Sequence, residues 1–170
     1  MIEPASKPRP AVTEPAPAAT PLYLFADVLD ELRFNGGWRP DQLAGGLLIG
    51  RAFRDLEGAV YTEAAGFVAG AHVEDFAALT RHLRTRWREA IASLRTCLPQ
   101  GEVIGWYAAV ADAAAAPDPT AALLHNTFFN QPWQTGLWLA GDAPPKVVRA
   151  GADGVETLPA GVIAPSAAGR

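Results

Sequence analysis

A chain of 170 residues has room for one domain with tails and for a sizeable hydrophobic core. With 49% hydrophobic and 19% charged residues, most of it is expected to be globular rather than disordered. The net charge of -4 argues against general affinity for nucleic acid, because neutralising phosphates needs a basic excess.

The single cysteine, Cys97, excludes an internal disulfide and fits a reducing compartment. Between Leu94 and Leu98 it reads as a buried structural thiol. No apolar stretch is long enough to span a bilayer. No basic segment leads into an apolar one at the N-terminus, so a signal peptide is not expected and the expected location is cytoplasmic.

In chain order, residues 1–20 carry Pro4, Pro8, Pro10, Pro15 and Pro17 among Ala, Glu and Thr and read as a flexible tail. The domain is expected over 21–158, with a second short tail over 159–170. Leu22, Phe25, Val28, Leu29 and Leu32 recur at helical spacing and predict a first amphipathic helix, stopped at Asn35-Gly36-Gly37. Gly45–Ile49 reads as a buried strand, Asp55–Gly58 as a turn, and 59–68 as the next strand or strands. A long helix is predicted from Val73 to Leu98, with Phe76, Leu79, Leu83, Trp87 and Leu94 on its apolar stripe. Its other face carries Arg81, Arg84, Arg88 and Arg95, which reads as a solvated face. Val103–Tyr107 reads as a central strand and 108–118 as a loop. Asp118-Pro119 has the form of a helix start, and the helix to Phe129 is expected to turn Leu123, Leu124, Thr127 and Phe128 inward. Gln134–Leu139 alternates like a strand, and a hairpin is predicted from Lys146–Arg149 and Val155–Leu158. This order predicts an α+β fold in which helices cover a sheet.

Three segments carry a resemblance. They are Gly45-Gly46-Leu47-Leu48-Ile49-Gly50, Val103-Ile104-Gly105-Trp106-Tyr107, and His125-Asn126-Thr127-Phe128-Phe129-Asn130-Gln131-Pro132-Trp133-Gln134. Their order, with a long amphipathic helix between the first two, resembles the JAMM/MPN (Mov34/JAB-like) metalloprotease family over roughly 21–158. The resemblance implies an MPN/JAB-like domain of cytidine-deaminase-like layering, with a central mixed sheet flanked by helices. Active members use a glutamate before the Gly-Gly strand, a His-x-His pair after the Gly-Trp-Tyr strand, and a Ser-x-x-Asp at the next helix. The two histidines and the aspartate bind zinc, which lowers the pKa of a bound water; the glutamate orients and deprotonates that water, and the serine helps stabilise the oxyanion.

An ungapped alignment from Tyr107 to Phe129 puts Ala108 and Val110 on the histidine positions, Asp118 on the serine and Ala121 on the aspartate. The glutamate falls at about Leu43, with Asp41 the nearest acid. The resemblance thus implies a pseudoenzyme with no metal, no cofactor and no isopeptidase activity. A site rebuilt from Asp112, Asp118 and His125 is weighed against a capping residue, a loop residue and a packed histidine, and the second reading is preferred. His72 and His82 read as surface or interface residues.

The expected function is that of a non-catalytic scaffold or protein-interaction module. It pairs as a homodimer or with another MPN-type chain through Phe25, Leu29 and Leu32 on the first helix and Phe76, Leu83 and Trp87 on the second. The alternative is a module that binds a peptide or a ubiquitin-like tail in the vestigial groove, and a third reading is a hydrolase with a rearranged site. Neither a nucleic acid nor a membrane is an expected partner.

Overall fold

The computed structural model describes residues 3–12, 20–35, 39–97, 99–152 and 154–165. Their elements run β1 (Ala5–Ser6), β2 (Leu22–Phe25), α1 (Ala26–Asn35), β3 (Leu43–Arg54), β4 (Val60–Val73), α2 (Phe76–Cys97), β5 (Glu102–Val110), α3 (Ala121–Phe128), β6 (Thr135–Ala140), β7 (Lys146–Gly151), β8 (Gly154–Pro159) and β9 (Gly161–Ile163). One mixed sheet has the order β8-β7-β6-β5-β3-β4-β2-β9, and β1 adds to β3. The pairs β5–β6, β2–β4 and β2–β9 are parallel; β3 is antiparallel to both β4 and β5. The fold is therefore α+β. Among the described residues no helix is long and apolar enough to cross a membrane.

β3 is buried continuously from Leu43 to Gly50 because helices cover both sheet faces there. Alternate residues divide between two cores. Leu48, Tyr107, Leu137 and Leu139 face α1 through Val28, Leu29 and Leu32. Leu47, Trp106, Ala108 and Trp138 face α2 and α3 through Leu79, Leu83 and Leu124. Each fully buried leucine of these layers stabilises the fold by about 1.5–3 kcal/mol relative to exposure.

Two glycines set the close approaches. A Cβ on Gly136 would collide with the Trp106 indole, which lies over it, and one on Gly46 would run into Val68 O and Gly70 N at a bulge of β4. The β-carbon-free positions let Trp106 lie flat on the sheet and let β4 bend.

The first helix is shorter than its spacing predicts. Leu22–Phe25 is a strand inserted between β4 and β9, and only Ala26 onwards is helical. Val73 closes β4 instead of opening α2, and Ala108–Val110 extend the central strand. α3 turns Ala121, Leu124 and His125 inward, while Leu123 is 55% exposed and Thr127 is also exposed.

Both tail boundaries also move. Residues 3–12 are docked: β1 pairs in parallel with Phe53 and Arg54, Lys7 Nζ lies 2.8 Å from Glu63, and Arg9 Nε lies 2.6 Å from Asp55. At the other end β9 pairs with β2, so the folded part runs past 159. The tail reading of 1–2, 13–19 and 166–170 lies outside the described residues. So do the stop at Gly36-Gly37 and the Cys97 side chain.

Candidate functional site

The C-terminal end of β5, the first turns of α2 and α3, the start of β3 and the middle of β6 meet around one open depression of about 180 Å3. Its lining includes Leu43, Phe76, Val110, Asp118 and Trp138, with Glu74 and Asp75 at the rim. Ala108 and Ala121 are fully buried beneath it, in the same apolar cluster as Leu43, Phe76 and Trp138. All five positions that the sequence alignment picks out, namely Leu43, Ala108, Val110, Asp118 and Ala121, are thus brought to one place. β5 does this locally: Ala108 and Val110 alternate along it, beside Trp138 and Ala140 of β6 in register.

Two aromatic rings fill the floor. Phe76 stacks on Trp138 at 5.9 Å between centroids and meets Trp106 edge-on at 5.6 Å. The Trp138 Nε1–H donates to Ala115 O at 3.0 Å, which ties the 111–118 loop across the depression. The plug escapes a sequence reading because its two rings come from α2 and β6, far apart in the chain.

The donor set does not fit zinc. Ala108, Val110 and Ala121 carry no lone pair, and Leu43 cannot act as a base. Asp75 and Asp118 each already accept hydrogen bonds from residues two or three further along the chain. Asp75 Oδ1 accepts the Ala78 N–H at 2.7 Å, and Asp118 Oδ1 accepts the Thr120 N–H at 2.7 Å and its hydroxyl at 2.8 Å. Those bonds, the backbone one first, hold the Asp118 carboxyl below its ordinary value. Asp112 Oδ1 accepts the Ala114 N–H instead of joining Asp118.

His125 is 8% exposed, and its Nδ1 accepts the Trp106 Nε1–H at 3.3 Å, which assigns its proton to Nε2. Burial lowers its pKa, so it is neutral near pH 7. Among the described residues no three His, Cys, Asp or Glu side chains are grouped to hold a metal ion. His72 is exposed, and His82 lies on a separate groove between α2 and β4.

The predicted pairing surface is largely internal. Leu29, Leu32, Phe76 and Leu83 are all buried in the two cores, because most of each helix stripe packs against its own sheet face. Phe25 and Trp87 are only partly buried, and Trp87 stacks on Phe128 at 5.1 Å. What remains open lies beside α2. Within β4, β2 pairs only with Thr62–Ala64, so residues 65–73 of β4 have β3 as their one strand partner among the described residues. A groove of about 240 Å3, lined by Leu47, Val68, Gly70, Leu83, Ala90 and Ser93 among others, runs between that half-strand and α2.

No family model matches the chain, and no curated protein matches it. Among solved structures it is similar to the solution structure of protein DSY2949 from Desulfitobacterium hafniense, with a TM-score of 0.58 at 16% identity. The match covers 85% of this chain and 94% of that one. At this identity the likeness bears on the fold alone.

Proposed function

We propose that the chain is a non-catalytic MPN-like domain that acts as a scaffold or protein-interaction module. The observation that supports this most is the chemistry of one depression. The positions that the alignment assigns to the base and the three zinc ligands carry Leu43, Ala108, Val110 and Ala121, the serine position carries Asp118, and Phe76 and Trp138 give the depression an apolar floor. The three ligand positions themselves offer shape and packing but no lone pairs for a metal. The role then rests on association, in a cytoplasmic setting, with a second copy or another MPN-type chain.

With Leu29, Leu32, Phe76 and Leu83 internal, the proposed pairing surface is the α2–β4 groove and the half of β4 that has only β3 as a strand partner among the described residues. The same groove favours the second reading, capture of an extended tail such as that of a ubiquitin-like protein. The 180 Å3 depression has room for one side chain, whereas an open strand edge beside a groove suits β-strand addition.

Sedimentation equilibrium at micromolar concentration, alone and mixed with an MPN-type chain from the same cell, tests the pairing. A complex is expected in at least one mixture, weakened by Ser93→Arg on the groove's exposed rim. A strict monomer in both overturns it.

A further inference from the structure

The N-terminal arm sits in a seat with the chemistry of a peptide-binding site. The seat is built from the far ends of β3 and β4 and the turn between them. Its floor is aromatic: Tyr61 is fully buried, meets Tyr23 edge-on at 5.5 Å and stacks on Phe53 at 5.7 Å. Two carboxylates stand in it, Glu63 and Asp55, with side chains 8% and 6% exposed.

Their cations come from the arm. Lys7 Nζ bonds both Glu63 oxygens at 2.8 and 2.9 Å and lies 4.6 Å from the Phe53 ring centroid. Arg9 Nε donates to Asp55 Oδ2 at 2.6 Å, its Nη1 donates to Thr20 O at 2.6 Å, and its guanidinium lies 5.1 Å from the Tyr61 centroid. Lys7 and Arg9 are two apart on an extended segment, so their side chains share one face.

The backbone is read as well. The Lys7 N–H donates to Arg54 O, and the Tyr61 hydroxyl donates to the carbonyls of Lys7 and Pro8 at 3.2 and 3.1 Å. Burial first and the Glu63 charge second push the Tyr61 hydroxyl up to about 12, so it remains a donor. Pro8 and Pro10 supply no N–H and suit the extended form. Every one of these contacts is one that any extended Lys-x-Arg segment supplies.

We propose that this seat is a binding site for extended basic peptides of the form Lys-x-Arg, which the chain's own residues 3–12 occupy in cis. The arm is then an intrasteric occupant: a basic segment in trans displaces it, and the two buried carboxylates select for that segment. An empty seat leaves both carboxylates without a cation, which favours recapture of either occupant.

The test uses the full chain and a fluorescent peptide of residues 3–12. In Arg9→Ala the arm is weakened, so the peptide is expected to bind at least ten-fold tighter than to the unsubstituted chain and to raise the variant's melting temperature. A peptide with alanine for both Lys7 and Arg9 is expected to do neither. Lys7→Ala carries the same comparison should Arg9→Ala not fold. No binding to either variant at millimolar peptide overturns the proposal, as does equal binding of the alanine-substituted peptide.

Discussion

Replacing Trp106 by alanine is the sharpest test of how the core is built. The indole is fully buried, meets Phe76 edge-on, covers Gly136 and donates to His125 Nδ1 at 3.3 Å. Truncating a buried tryptophan costs about 3–5 kcal/mol through lost burial and the cavity left behind. A buried acceptor stripped of its donor adds about 1–3 kcal/mol where water does not replace the bond. Against a total stability of about 5–15 kcal/mol, the variant is left near the edge of folding. At roughly 2–4 °C per kcal/mol for a domain of this size, the packing loss alone lowers the melting temperature by about 6–20 °C. Differential scanning calorimetry reads this directly. Trp106→Phe, which keeps a ring but loses the donor, should fall between the two. Combining it with His125→Leu should cost less than the sum of the single changes, because the orphaned acceptor is removed. A shift under about 2 °C for Trp106→Ala would refute the packing and the strand placement with it.

Deleting residues 1–12 should lower the melting temperature measurably, because it strips the cations from Glu63 and Asp55; an unchanged melt would mean that the arm contributes nothing. Arg9 and, after it, the Ala59 and Glu57 N–H groups hold the Asp55 carboxyl below its ordinary value of 3.8 against burial. A carboxylate with a depressed folded pKa stabilises fully above its unfolded value and loses that contribution as pH falls through the folded one. Acid melts of the native chain should therefore lose stability below about pH 4 more steeply than those of Asp55→Asn. Equal acid limbs would count against the ion pair. Writing ligands back as Ala108→His, Val110→His and Ala121→Asp should destabilise by roughly 1–3 kcal/mol or more, since two of these positions are fully buried against packed rings, and should not create a tight zinc site. Stoichiometric zinc at an unchanged melting temperature would contradict that.

The layers were legible where one residue's surroundings are set by its neighbours in sequence. The run Gly45–Ile49 reads as a strand because both faces of β3 are covered there, although β3 itself spans Leu43–Arg54, and α2 reads as a helix because Phe76, Leu79, Leu83 and Leu94 share one face. α1 was over-extended because Leu22 and Phe25 happen to continue its period, although β4 and β9 flank them as a strand. α3 was rotated in the reading because its apolar Leu123 is exposed while polar His125 is buried on Trp106. The arm was missed for a different reason. Proline-rich composition gives no period, and its partners Glu63 and Asp55 lie 56 and 46 residues away. At the candidate site the five positions followed from an alignment, but the Phe76–Trp138 plug needs the topology that stacks α2 on β6. The helix stripes read as free surface in the sequence, which does not say how much of a stripe its own sheet covers.

Zinc stoichiometry tests the central claim most directly. The full chain is dialysed against micromolar zinc, then against metal-free buffer, and its metal content is measured by elemental analysis beside its protein concentration. The apolar plug and the lone-pair-free positions Ala108, Val110 and Ala121 predict far less than one ion per chain. Retention of close to one zinc per chain would contradict the account and restore a metal site to this fold.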